Sequence, residues 1–324
     1  MYTERNYIMW LNSLMSINAD IKRELINALG SAENLWNADR KEILSTKILS
    51  EEKVEFLIKS KYKYDMDKEL EKLYHSGVDF LIPTDKEFPI QLTAMNEPPV
   101  GIYVIGKMPD ASYPMVSIVG SRRVSEYGAS VCDKFSRELA EAGVTVVSGM
   151  AMGIDAIAHK GAIDGGGKTI AVLGTGADVC YPVVNTNIYN EIKLNGCIIS
   201  EFPLGTKAYK ANFPYRNRII AGLSRATIVI EAAERSGSLI TANRAIENSR
   251  IVMAVPGNIT SKLSKGCNDL IRKGCVPVTC TQDIFDELNI KLTKRELKNS
   301  EKDIIPLAKD EKMLYDCISY EPIT

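Results

Sequence analysis

Two short stretches carry most of the chemistry this sequence can do. The first is MVSIVGSRR, Met115 to Arg123, where a short apolar run breaks on Gly120 and is followed by Ser121, Arg122 and Arg123. A strand running into a glycine turn at the head of a helix suits an anion. Glycine lets the backbone come close, the first helical N–H groups point outward, and arginine adds charge and forked donors. The same turn also opens the first βα unit of any doubly wound sheet, so alone it reads equally well as fold punctuation. The second stretch is KAYKANFPYRNR, in which Lys207, Lys210, Arg216 and Arg218 alternate with Tyr209, Phe213 and Tyr215. Cations attract a phosphate backbone of any sequence, and aromatic faces offer bases a stacking surface worth about 1 to 3 kcal/mol each. The other reading of this stretch is a solvated basic loop with aromatics packed beneath it.

The elements that must hold these residues follow from periodicity. Residues 1 to about 75 repeat apolar side chains at helical spacing, as in Ile8, Leu11, Leu14 and Met15, or Ile21, Leu25, Ile26 and Leu29 before Gly30. Lys59 to Lys72 reads as a solvated helix face. Residues 76–108 form a connector of short extended pieces, one an edge strand, separated by Pro83, Pro89, Pro98 and Pro99. From Pro114 onward strands and helices alternate. Nearly all-apolar strands are expected at Val116 to Val119, Val144 to Val147, Thr169 to Leu173, Cys197 to Ser200, Ala226 to Ile230, Ile251 to Val255 and Val276 to Thr279. That pattern is an α/β fold with a mostly parallel sheet covered on both faces, over residues 109–290. Ligands of such sheets bind outside the strands' carboxyl ends. Those ends carry Gly120-Ser121-Arg122-Arg123, Ser148-Gly149, Gly174-Thr175-Gly176, Ser200-Glu201, Glu231 with Ser236-Gly237-Ser238, and Pro256-Gly257. A rim of glycine and hydroxyl residues suits phosphates better than apolar ligands.

Composition sets the outer limits. The 324 residues are 45% hydrophobic and 25% charged with a formal net charge of −1, ordinary for a globular protein without a membrane span, and a cytoplasmic setting is expected. Any nucleic-acid binding must therefore come from a local basic patch. Seven cysteines form no CxxC pair and there are only two histidines, so reduced thiols are expected, with no metal and no cofactor. Gly165-Gly166-Gly167-Lys168-Thr169 precedes a strand and lacks the first glycine of a P-loop, and Gly174-Thr175-Gly176 has Val179 where a dinucleotide fingerprint needs its third glycine. His159, four residues after Asp155, reads as an orienting hydrogen bond within the fold.

Taken together, GSRR with Tyr127-Gly128, SGMAMGID at 148 to 155 with His159, Tyr181-Pro182, Ser200-Glu201, FPYRNR at 213 to 218, EAAERSGSLITA at 231 to 242 and VPG at 255 to 257 resemble the DNA-processing protein A family, also called Smf. The resemblance spans about residues 80 to 285. It implies an extended Rossmann domain, preceded at 1–75 by a helical module similar to a sterile-alpha motif. It also implies a homodimer that is not an enzyme. Such a protein would bind single-stranded DNA and load the RecA recombinase onto it during natural transformation and homologous recombination, displacing single-strand-binding protein. The site it implies comprises Gly120, Ser121, Arg122, Lys210, Phe213, Arg216, Asn217 and Arg218, and the rim residues Arg123, Ser236 and Gly237 complete the set. Gly266-Cys267-Asn268 departs from the family's Gly-Thr-Asn by one hydroxyl, and 291–324 resembles the opening helix of a shortened winged helix. The alternative is a phosphoribohydrolase of the related lysine-decarboxylase-like Rossmann group, whose PGGxGTxxE signature is missing here. A nucleotide-sensing module is a third reading.

Overall fold

The computed structural model describes residues 2–110 and 113–290; the tail at 291–324 lies outside them. The chain opens with α1 (Glu4–Ser13), α2 (Ala19–Leu29), α3 (Ala32–Asn37), α4 (Arg40–Ser45), α5 (Glu51–Lys63) and α6 (Met66–Ser76). Local chemistry sets their ends. Asn18, Ser31, Asp39 and Asp65 each accept a backbone N–H at an N-terminus, and Gly30 closes α2 in the left-handed region at φ 88°. The single solvated face expected from Lys59 to Lys72 is broken in two, because the Asp65 carboxylate caps α6 by accepting from the Lys68 N–H.

Next come β1 (Asp79–Leu81), β2 (Ile102–Gly106), β3 (Met115–Val119), α7 (Glu126–Glu141), β4 (Thr145–Ser148), α8 (Ile154–Asp164) and β5 (Thr169–Leu173). They are followed by α9 (Thr186–Asn195), β6 (Cys197–Ser200), α10 (Asn212–Leu223), β7 (Ala226–Val229), α11 (Gly237–Glu247), β8 (Ile251–Ala254), α12 (Lys265–Arg272), β9 (Val276–Pro277) and α13 (Thr281–Leu288). The strands form one sheet in the order β1-β2-β6-β5-β4-β3-β7-β8-β9. From β6 to β9 every pairing is parallel, while β1 and β2 add to the β6 edge in antiparallel fashion. This is the Rossmann-like α/β fold. Successive residues of β2 face opposite ways: Tyr103 and Ile105 join a core shared with the N-terminal helices, whereas Ile102 and Val104 join the core under α10 and α11.

Topology directs attention to one edge. The strand order reverses between β3 and β7, and the crossover from β6 to β7 must pass β5, β4 and β3. The crossover's loop leaves the carboxyl end of β6, so the basic-aromatic stretch and the N-terminus of α10 lie on the rim where the glycine turns end. The Gly165-Gly166-Gly167 segment joins α8 to β5, as its place before a strand implied.

Candidate nucleic-acid interface

The turn after β3 is shaped by its neighbours. A Cβ on Gly120 would fall 2.6 Å from Ile154 Cγ1, so this glycine is required by the close packing of α8. Gly153, at φ 77°, leaves no room either, since its Cβ would meet Ser121 O at 2.4 Å and Arg122 O at 2.8 Å. The Ile154 N–H donates to Ser121 O, and the Ser121 hydroxyl accepts from the Arg123 N–H, closing the turn on itself. The side chains of Arg122 and Arg123 are exposed.

Phe213 sits at the centre of the rim. The Arg122 and Arg216 guanidinium carbons each lie 5.9 Å from its ring centroid, and the Tyr181 ring lies 5.5 Å away, tilted by 36°. Gly174 makes space for it, since a Cβ there would fall 2.9 Å from the Phe213 ring. Asn212 Nδ2 donates to Gly174 O and fixes the start of α10 against the end of β5. Lys210 is exposed in the preceding turn, and like Arg123 it stands in no ion pair among the described residues. Asn217 is half-buried, with Nδ2 3.5 Å from Gly237 O. Ser236 caps α11 by accepting from the Ser238 N–H. A Cβ on Gly237 would meet nothing within 4 Å, so the space in front of that turn is open. Gly120, Ser121, Arg122, Phe213, Asn217, Ser236 and Gly237 thus converge on one rim, with Arg123 and Lys210 at its margins.

Arg216 and Arg218 are placed differently from the expectation that they reach a ligand. Arg216 is 4% exposed, and its Nη1 donates to Gly149 O and Val172 O, the carbonyls left over at the ends of β4 and β5. Burial brings its guanidinium down to about 10, against the pull of Asp155, and the charge of Arg122 lowers it further. The loop SGMAMGID wraps around this pair. A Cβ on Gly149 would lie 2.8 Å from Arg216 Nη2 and 2.9 Å from Asp155 Oδ2, and Ala151 donates its N–H to Asp155. Burial raises the Asp155 carboxyl, with Arg216 and backbone donors opposing. Arg218 is 1% exposed and gives Nη2 to both oxygens of Glu201 at 2.6 Å. Their physical reason is related: on different sides of α10, about one turn in, each meets buried acceptors that need a donor, strand-end carbonyls for Arg216 and a buried carboxylate for Arg218.

The remaining signatures also hold the frame. Glu231 is buried and accepts both the Ser125 N–H, at 3.0 Å, and the Ser125 hydroxyl, anchoring the start of α7. A Cβ on Gly128 would fall 2.4 Å from that carboxyl. The anchor lies beside a cleft of about 380 Å³ lined by Ser125, Tyr127, Glu231, Gly257 and nearby serines. His159 Nδ1 is 2.7 Å from Thr169 Oγ1, whose own proton goes to Val146 O, so the ring donates through Nδ1. Burial holds that imidazole down at about 3, and it stays neutral. Asn268 pairs with both the N–H and the carbonyl of Gly257. Cys267 is buried with its Sγ 3.5 Å from Val229 O, so the thiol makes the donation that a threonine hydroxyl would make. Burial pushes it up to about 12.

Residues 79–289 match the model of the DNA recombination-mediator protein A family. The chain belongs to that family. It is 35% identical over 290 residues to Protein Smf of Synechocystis, covering 88% of this chain and 73% of that one. The X-ray structure of DNA processing protein A from Streptococcus pneumoniae matches with a TM-score of 0.76 and 34% identity, over 89% of this chain and 99% of the other. DNA processing protein A from Helicobacter pylori, described with a single-stranded DNA binding mode, matches with a TM-score of 0.59 and 28% identity, over 67% and 97%. Among the described residues no helix is long and apolar enough to cross a membrane. Within the family frame, sequence reasoning missed how Tyr181 extends the Phe213 surface. Its available signal was an aromatic residue following the Gly174-Thr175-Gly176 turn on the same rim.

Proposed function

We propose that this chain binds single-stranded DNA along the carboxyl rim of its sheet, without sequence preference, as a homodimer in the cytoplasm. It protects the strand and passes it to the RecA recombinase in transformation and recombination, in competition with single-strand-binding protein. The observation that carries the reading is Phe213, held half-open between Arg122 and Tyr181, with Lys210 and Arg123, in no ion pair among the described residues, at the margins of the same rim. Cations to attract a backbone around a ring to receive a base is the chemistry of sequence-tolerant strand binding. In this role Arg122, Arg123 and Lys210 hold phosphates and Phe213 stacks on a base. Ser121, Asn217, Ser236 and Gly237 line the path, with Gly120 shaping it, while Arg216 and Arg218 position the loops from below. Residues 109–290 form the binding domain, supported by the helices of 1–75 and the connector at 76–108.

Binding is favoured over hydrolysis because the two glutamates that hydrolysis could call on, Glu231 and Glu234, are already committed. Both oxygens of Glu231 accept from Ser125, and Glu234 is paired with Lys265 at the surface. The test is a titration of labelled oligothymidylate with competition by duplex DNA and adenosine monophosphate. Binding that resists both competitors supports the proposal. Displacement by the mononucleotide with release of free adenine would overturn it in favour of a phosphoribohydrolase.

A further inference from the structure

The rim surface does not end at Phe213. Tyr181 is 45% exposed, and the residues that follow it include Val183 at 76% and Val184 at 73%. Asn185 Nδ2 donates to Met150 O at 2.8 Å and to Ala151 O at 3.3 Å, which fixes this turn against the loop carrying Met152, itself 49% exposed. Apolar side chains this open, two of them β-branched, gain nothing from water; Val183 and Val184 follow Tyr181 closely in the chain, and Asn185 ties their turn to the loop that carries Met152. No cation of the rim belongs to this turn: Arg122, Arg123 and Lys210 all lie on the other loops. The Tyr181 ring is tilted 36° from Phe213 at 5.5 Å, so the two rings adjoin and form one aromatic surface.

We infer that Tyr181, flanked by Met152, Val183 and Val184, is a second base platform, which receives the nucleobase next to the one on Phe213 and turns a single stacking site into a track. The inference rests on the proposed single-strand binding and deepens it. The occupant is nucleobase chemistry because the patch is continuous with the Phe213 surface and lies beside the cations that would hold the backbone. The contribution is dispersion and desolvation of an aromatic face, indifferent to which base is present and to salt.

The experiment compares wild type, Tyr181→Ala, Tyr181→Phe, Phe213→Ala and Arg122→Ala in binding to oligothymidylates of increasing length and to a fully abasic strand of matched length. Tyr181→Ala is expected to weaken oligothymidylate binding roughly 5- to 100-fold, with the loss appearing only beyond the shortest strands. Its salt slope should be unchanged, Tyr181→Phe should restore affinity, and the abasic strand should bind wild type and Tyr181→Ala alike. Wild-type affinity of Tyr181→Ala for every length, while Phe213→Ala and Arg122→Ala are impaired, would overturn the track and leave the rim reading standing. Equal binding by all five proteins would instead remove the rim reading itself. A changed sedimentation coefficient in Tyr181→Ala with unaltered DNA affinity would assign the patch to a second copy of the chain and also overturn the inference.

Discussion

Arg216 shows how much of this site depends on a residue no ligand needs to touch. Its guanidinium satisfies two strand-end carbonyls, faces the Asp155 carboxyl and lies against Phe213. Removing one member of a buried charged pair leaves the other uncompensated, at about 3 to 5 kcal/mol. Arg216→Met should therefore lower unfolding stability by about that amount in a urea titration. Arg216→Lys should recover only part of it, because an ammonium can donate to both carbonyls but loses the Nε–H bond to Asn217 Oδ1 and the planar group against Phe213. At Cys267 the outcome is the opposite: Cys267→Thr should change stability by less than about 1 kcal/mol and leave DNA affinity unchanged, since the hydroxyl inherits the contact with Val229 O. Residue types pointed to two loops that the fold brings onto one rim, but they could not tell an exposed arginine from a buried one. Arg122 and Arg216 look alike in sequence; only the helical phase of α10, together with the carbonyls beneath it, separates them.

At the scale of elements, the strands were legible because buried parallel strands are written as continuous apolar runs, and β5 and β6 begin and end where that pattern does. The break between α5 and α6 was not, because neither glycine nor proline marks it and the cap is a single aspartate among many charges. Contacts between elements were also out of reach. Gly153→Ala should push its Cβ into Ser121 O, costing about 1 to 3 kcal/mol of stability and weakening strand binding by moving the Arg122 turn. A second contact joins α2 to the end of β6: Lys22 is buried, donates from Nζ to Asn12 O at 2.9 Å, and faces Glu201 and Arg218. Burial lowers its ammonium from the usual 10.5 to about 8, with Glu201 opposing. The unfolded chain therefore holds this proton more tightly than the folded one, and the resulting penalty is fully present below about pH 8. Stability of the wild type relative to Lys22→Met should rise by up to about 3 kcal/mol as pH increases from 8 to 10.5, read from denaturation midpoints across that range.

For the whole molecule, the helical segment 1–75 reads in sequence as a module of its own, yet its packing joins it to the sheet. Trp10, Leu25 and Leu57 share one apolar cluster with Tyr103, Leu173 and Ile198 of the sheet, and Asn12 Nδ2 donates to Glu201 O. Deleting residues 1–75 should expose that sheet face and give an aggregating protein, measurable by light scattering, instead of a clean binding domain. A net charge of −1 adds a further constraint: attraction to a polyanion must be local, and under the proposed function that role falls to the exposed cations of the rim. The most direct test of that claim is the salt dependence of oligothymidylate affinity for wild type, the Arg122→Ala, Lys210→Ala double variant and Phe213→Ala. Each phosphate contact contributes about 0.7 to the log–log slope on a single strand, so the double variant should be shallower by about 1.4 and Phe213→Ala weaker with its slope intact. A double variant with the wild-type slope would contradict the rim as the site of strand binding.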